Sequence, residues 1–149
     1  MTQKALIDGG LYSSVHVSVG NGYGSTYSRR YTTIVTNVGT AITYADSASG
    51  STFTVNVDGI YSCSMCEMYP TQGAFGISKN EINPADGALT VANRLAIAHT
   101  PTGVAVHASR LSTCSWTGPL VAGDIIRPLG DGTTPTNSNL QMFNITKVG

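Results

Sequence analysis

Apolar and polar residues alternate one by one in two stretches of the chain. In residues 15–19 every second residue is valine, and in residues 53–57 Phe53, Val55 and Val57 alternate with threonine and asparagine. Alternation of this kind places successive side chains on opposite faces of a β-strand. Shorter runs predict further strands over residues 60–69, 74–78, 96–99, 104–108, 124–129 and 141–148.

Turn-forming residues separate these stretches. Asn21-Gly22, Asp58-Gly59 and Asn83-Pro84 are typical of tight turns, and short strands separated by turns about every 8–12 residues indicate a sandwich or a barrel. The best helix candidate, residues 86–99, contains Gly87 and several poor helix formers, and it lacks an apolar stripe at helical spacing. The pattern therefore predicts an all-β protein, an antiparallel β-sandwich of the jelly-roll kind.

The chain of 149 residues shows no internal repeat and no linker long enough to divide it. We therefore expect a single domain over residues 13–149, preceded by an N-terminal arm of residues 1–12. The polar tract 130–139 is rich in glycine, threonine and asparagine, which predicts an exposed loop.

Charge is scarce and balanced, and this excludes several functions. Charged residues make up 11% of the chain, and eight basic side chains cancel eight acidic ones. A protein that neutralises phosphates would need a basic surplus, so we expect no nucleic-acid partner. The apolar share of 41% argues against disorder, and the absence of a long apolar run argues against a membrane helix. No secretory signal is visible in residues 1–10, so we expect synthesis in a cytoplasm.

The cysteines and histidines suggest no metal centre. Cys63 and Cys66 have the spacing of a redox pair or of half a zinc site, but on a strand they would point to opposite faces. With Cys114 they are better interpreted as reduced, half-buried side chains, and we expect no metal and no cofactor. The histidines lie in strand-like runs without a ligand motif, and they are His16, His99 and His107.

No catalytic motif stands out, so we expect no enzyme activity. The carboxylates are scattered, and there is no nucleophile elbow, phosphate loop or dinucleotide fingerprint. Hard oxygen ligands for calcium occur in or beside the polar tract, although loop solvation is the stronger interpretation. These oxygen ligands are Asp124, Asp131, Asn137 and Asn139. Whether the tract binds calcium or sugar stays open.

Motifs in the second half of the chain resemble the tumour necrosis factor-like jelly roll, which is also the head of the first complement component. Residues 53–61 resemble its Phe-x-Val-x-x-x-Gly-x-Tyr strand pair, and residues 75–80 its strand ending in a Lys-Asn turn. Residues 120–126 resemble its Leu-x-x-Gly-Asp-x-Val/Ile signature, and residues 143–149 its last strand. The resemblance implies this jelly roll, and it implies a homotrimer because the family usually assembles as trimers.

A second resemblance covers nearly the whole chain. The segments 20–26, 29–31, 38–48 and 123–128 are similar to modules in virion proteins of tailed bacteriophages. These modules occur on head-decorating proteins and on fibre or spike tips. Because only about a dozen residues precede the fold, without the shaft of a fibre, we expect a capsid decoration or cement protein. Such a trimer would bind the major capsid protein on the outer capsid surface, at threefold or quasi-threefold positions, and stabilise the head.

The resemblance also suggests contact residues. The hypothetical capsid-binding residues lie in the arm and are Lys4, Leu6, Ile7, Leu11 and Tyr12. Family analogy suggests Tyr61 and Phe143 for the trimer interface. The alternative function is a receptor-binding tip of a tail or head fibre, whose tyrosines and polar loops would contact host surface glycans.

Overall fold

A computed structural model describes residues 12–23, 27–69, 73–81, 92–99, 110–131 and 138–149. Within these ranges it contains ten strands and one short 3-10 turn, Ser138–Leu140. The strands are β1 (Ser13–Tyr23), β2 (Arg29–Val38), β3 (Ile42–Ala45), β4 (Thr52–Val55), β5 (Gly59–Tyr69), β6 (Ala74–Lys79), β7 (Arg94–His99), β8 (Arg110–Leu120), β9 (Ile125–Gly130) and β10 (Met142–Lys147). Over the same ranges no helix is long and apolar enough to cross a membrane.

The strands form two five-stranded antiparallel sheets that pack face to face. Sheet A has the order β2-β1-β10-β5-β8, and sheet B has the order β3-β4-β9-β6-β7. Non-consecutive strands are neighbours in both sheets, as expected when a chain crosses repeatedly between the two layers of a jelly roll. The predicted all-β, antiparallel jelly-roll sandwich is confirmed.

The core lies between the sheets and is built from alternate residues of each strand. Val15 and Val17 of β1 are fully buried, and their partners on β10 are Ile145 and Phe143. The Phe143 ring meets Phe53 of sheet B with ring centroids 4.5 Å apart. Burial of such apolar surface contributes about 25 cal/mol per Å² and is the main force that holds the two sheets together.

Most predicted strands correspond to strands of the structure, while β2, β3 and β8 were not predicted from alternation. Four consecutive residues of β2, 32–35, are exposed, and β8 is rich in serine and threonine, so neither carries a strong apolar signal. The end of the helix candidate is strand β7, so no helix forms there. Residues 86–91 and the predicted strand 104–108 lie outside the described residues.

The two ends of the sandwich differ in what they carry. The start of β1 lies beside the C-terminus, because Ser13 pairs with Lys147, and Ala41 donates its N–H to Oγ of Ser13 at 3.2 Å. We call this the arm end. Gly39 there has φ +76°, and a Cβ on it would lie 2.6 Å from the Tyr12 carbonyl oxygen, so only glycine lets the turn pass so close. The opposite end, where Gly130 pairs with the start of β6, is the loop end.

Candidate interaction surface

The outer face of sheet A presents rows of hydroxyl groups that run across four strands. The pairing register aligns Ser14 of β1, Thr146 of β10, Ser62 of β5 and Thr117 of β8 in one row. The hydroxyls of Ser14 and Thr146 are 2.9 Å apart, and the Thr117 hydroxyl donates to Ser62 at 3.1 Å. The row therefore satisfies much of its own hydrogen-bonding capacity.

The next row crosses the middle of this face. It consists of His16, Asn144, Ser64 and Ser115. Beside it lies a shallow depression of about 250 Å³, to whose lining Cys66 and Met142 contribute together with residues of the row. The depression is large enough to accommodate a side chain from another molecule.

Both ends of the outer face are more apolar than its centre. Towards the loop end, Leu111 is 55% exposed and lies beside Met68, with Met142 nearby. At the arm end, Val148 and Ile60 are 55% and 41% exposed. The described outward positions of β1, β5, β8 and β10 carry no Asp, Glu, Lys or Arg. This surface, the outer face of sheet A, is the candidate interaction surface.

Tyr61 and Phe143 lie on the inner face of the same sheet. Both are 0% exposed in the single chain. The Tyr61 hydroxyl donates to the Val57 carbonyl at 2.6 Å, while Phe143 packs on Phe53. The structure therefore places both side chains in the core of the single chain, and their role at a trimer interface stays a prediction.

The predicted capsid-binding residues lie mostly outside the described part of the chain. This applies to Lys4, Leu6, Ile7 and Leu11. Tyr12 is described and is half-buried at the arm end. Tyr12 precedes β1 at the end of the sandwich opposite Gly130 and Asp131, which flank the polar tract.

The candidate calcium ligands do not converge on one site. Asp124 precedes β9 at the arm end, whereas Asp131 follows β9 at the loop end and accepts the Ala74 N–H at 2.7 Å. Residue 137 lies outside the described residues, and Asn139 is exposed. Among the described residues no three His, Cys, Asp or Glu side chains are grouped so that they could hold a metal ion. One ion shared by Asp124 and Asp131 is thus ruled out by their separation.

Asp124 instead connects its own turn, before β9, with the turn after β6 at the arm end. Its Oδ2 accepts the Val121 N–H at 3.0 Å, and its Oδ1 accepts the Asn80 side-chain amide at 2.7 Å. The Lys79 ammonium lies 3.6 Å from Oδ2. Burial on its own would raise the pKa of Asp124, but these donors and the lysine charge outweigh it and hold the pKa below its ordinary value.

The cysteines are free thiols on two different faces, as predicted from strand geometry. Cys63 and Cys114 are buried between the sheets, while Cys66 points to the outer face and is half-buried. Burial raises the pKa of Cys63 and of Cys114 to about 12, and it also raises the pKa of Cys66. These surroundings disfavour the thiolate that redox or metal chemistry requires.

A buried ion pair, which the sequence did not suggest, fixes the loop end of sheet A. Arg29 and Glu67 are both 0% exposed, and Nε and Nη2 of Arg29 donate to the two Glu67 oxygens at 2.8 and 2.5 Å. The Tyr31 hydroxyl approaches the same carboxylate at 3.5 Å. Burial raises the pKa of Glu67, while the Arg29 charge acts in the opposite direction. The pair ties β2 to β5 beneath the two strands that separate them.

The histidines differ in position. His16 lies in the middle row of the outer face, and His99 is exposed at the end of β7. Residue 107 lies outside the described residues.

The fold is similar to that of mouse APRIL. Crystal structures of murine APRIL at pH 5.0 and at pH 8.5 superpose with TM-scores of 0.58 and 0.56 at 16% sequence identity, over 91% of this chain and 98% of APRIL. A third structure of murine APRIL, at pH 8.0, gives a TM-score of 0.55. The chain therefore has the tumour necrosis factor type of jelly roll. No protein-family model and no curated protein sequence matches it.

Proposed function

We propose that the chain is a non-enzymatic structural protein of a bacteriophage virion, a homotrimer that decorates and stabilises the outer capsid surface. The observation that carries the proposal is the outer face of sheet A, whose described outward positions on β1, β5, β8 and β10 hold no Asp, Glu, Lys or Arg. The similarity of the sequence to modules of phage virion proteins supplies the virion context.

Such a face is suited to burial between copies. Covering a charged group costs several kcal/mol unless a partner compensates it, whereas hydroxyl and apolar groups are much cheaper to desolvate. Ser14, Thr146, Ser62 and Thr117 already bond to one another in pairs, so burying them leaves few unmet polar groups. The exposed Leu111, Ile60 and Val148 would add apolar contact at both ends of the face.

A closed trimer fits a shell that offers threefold or quasi-threefold positions. The arm end would face the capsid, because Tyr12 leaves the sandwich there. Three arms that engage neighbouring capsomers together gain avidity even if each contact is weak. The major capsid protein is thus the proposed partner, and clamping adjacent capsomers is the proposed role.

The trimer is tested by native mass spectrometry of the purified chain. We expect a trimer for the natural sequence and a folded monomer for Ser64→Lys, because this exposed serine lies in the middle row of the face. The matched control is Ala48→Lys, which adds the same charge at an exposed position before β4 and should leave the trimer intact. A Ser64→Lys protein that remains fully trimeric would place the interface elsewhere.

A second function, the receptor-binding tip of a fibre, is favoured by the composition of the loop end. Asp131 and Asn139, which flank the polar tract, are exposed, and they lie away from the arm. Polar loops held at one end of a rigid sandwich are a common way to present a binding surface. Binding of the purified protein to host cells or lipopolysaccharide, competed by free glycan, would favour this function over decoration.

A further inference from the structure

Strand β2 is an edge strand of sheet A. Side chains of Ser51 and Tyr44 bond to the backbone of Tyr31, so the part of the edge considered below begins at Thr32. Residues 31–38 contain no Asp, Glu, Lys or Arg. The two arginines at the start of β2 are both in ion pairs. Arg29 is buried against Glu67, and Nη2 of Arg30 lies 2.7 Å from Oδ2 of Asp46. Ile34 and Val35 on this edge are 53% and 55% exposed.

The other three edge strands of the sandwich have features that disfavour pairing with a further strand. Strand β8 has Pro119, β3 is only four residues long, and β7 begins with Arg94 and ends with His99. Proline, charge and short length are the usual means of protecting sheet edges. A ten-residue edge without charge over its last eight residues lacks these protections, apart from one register shift at Val35.

We infer that β2 pairs antiparallel with β2 of a second copy across a twofold axis. In such a pairing every residue faces a residue of the same segment, so a charged edge would meet its own charge and be repelled. Segment 31–38 has no charge to repel, and its threonines, isoleucine and valines are residue types that favour strand pairing. The exposed Ile34 and Val35 would then be covered by side chains of the second copy's β2.

This contact would join sheet A of one copy to sheet A of the second copy and so form one continuous ten-stranded sheet. It uses an edge of the sheet, whereas the proposed trimer uses its outer face, so the two contacts are separate and the inference goes beyond the proposed function. If both form, the edge contact links one trimer to the next. Lateral links between trimers would add to the clamping of a shell.

Cysteine cross-linking of the full chain tests the pairing. Residues 32–37 are replaced by cysteine one at a time in a Cys66→Ser background, because Cys63 and Cys114 are buried. Opposed residues of an antiparallel pair lie about 4.5–5.5 Å apart at Cα, which is within disulfide range. We expect one position, the residue on the twofold axis that faces its own counterpart, to form a covalent dimer under mild oxidation, well above the exposed control Ala48→Cys. Equal, low cross-linking at all positions and at the control would overturn the inference.

A charge substitution distinguishes edge pairing from trimer formation. Val35→Lys should weaken the edge association by about tenfold or more, measured by sedimentation equilibrium, and should leave the trimer mass unchanged. Ser64→Lys should do the reverse and leave the covalent dimer of the cysteine variants intact. If Val35→Lys associates as strongly as the natural chain, β2 does not form the contact.

Discussion

The side chains of Asn80 and Asp124, which belong to different turns, are joined by a 2.7 Å hydrogen bond from Nδ2 to Oδ1. The same Asn80 side chain accepts the Ile125 N–H at 2.7 Å through its own Oδ1. Its backbone takes φ 56°, a conformation that asparagine tolerates better than most residues. The Lys-Asn turn after β6 and the Gly-Asp turn before β9, two motifs of the sequence resemblance, are therefore one structural unit that closes the arm end of sheet B.

The first prediction concerns Asp124 and pH. Its folded-state pKa is lower than the ordinary value of 3.8, so the ionised carboxylate stabilises the fold above that pH, and the contribution is lost as the pH falls through the folded pKa. We expect Asp124→Asn to lower the free energy of unfolding by about 1.5–3 kcal/mol near pH 7, because it removes a charged hydrogen-bond acceptor. Urea unfolding as a function of pH should show the difference from the natural chain shrinking below about pH 4.

The control for this prediction is Asp58→Asn at the same end of the sandwich. Asp58 is exposed and accepts the Ala122 N–H at 2.8 Å, so its loss should cost less. A difference between the natural chain and Asp124→Asn that does not change from pH 7 to pH 2 would show that the carboxylate charge has no role.

The second prediction concerns the buried pair of Arg29 and Glu67. Glu67→Gln leaves the Arg29 guanidinium buried without its counter-charge, so we expect a loss of about 3–5 kcal/mol in unfolding free energy. The double variant Arg29→Met/Glu67→Met removes both charges and should recover most of this loss. Denaturant unfolding of the natural chain, Arg29→Met, Glu67→Met and the double variant completes the double-mutant cycle. A double variant that loses the sum of the two single effects would contradict the coupling.

The third prediction uses Cys66 as a reporter of the outer face. Cys63 and Cys114 are buried and their pKa is raised to about 12, so they should resist alkylation in the folded protein. Cys66 points outward from sheet A and should react with iodoacetamide slowly in the assembled protein, but faster in the monomeric Ser64→Lys variant. Mass spectrometry of labelled peptides gives the rates. Equal rates at Cys66 in both proteins would mean that assembly does not cover this face.

The fourth prediction concerns the arm. Replacing Leu6 and Ile7 by serine removes two apolar side chains before the sandwich begins and should leave stability and trimer mass unchanged. Binding to undecorated capsids, measured by co-sedimentation, should fall by about tenfold or more, because three weakened contacts act together. The matched control is Thr2→Ser, which keeps the polarity of the arm. Full decoration by the Leu6→Ser/Ile7→Ser variant would remove the arm from the capsid contact.

Alternation in the sequence predicts the fold well where one face of a strand is buried. Val15 and Val17 are core residues, and the period-2 pattern of β1, β5 and β10 survives in the structure. Strand β2 has no such signal, because Thr32, Thr33, Ile34 and Val35 are all exposed at a sheet edge. Alternation therefore fails where packing on one face is absent, although the β-branched residues of this segment favour a strand.

The candidate surface was harder to predict than the fold. The resemblance indicated the strands that carry Tyr61 and Phe143, but a strand has two faces, and these residues occupy the inner one with Cys63 and Met65. The residues directly next to those buried ones in the strands, Ser62, Ser64 and Asn144, therefore lie on the outer face. The lateral rows that they form depend on the register between distant strands, and alternation within a single strand does not contain that information.

Cryo-electron microscopy of the intact virion would show directly whether the chain decorates the capsid as a trimer. We expect three copies of this jelly roll around each decorated threefold or quasi-threefold position of the shell. The outer faces of sheet A, with Ser64 and Asn144, should be covered by neighbouring copies, and the arm ends should face the capsid. Density for the chain only at the tail tip, or copies on the shell whose outer faces of sheet A are open to solvent, would contradict the account.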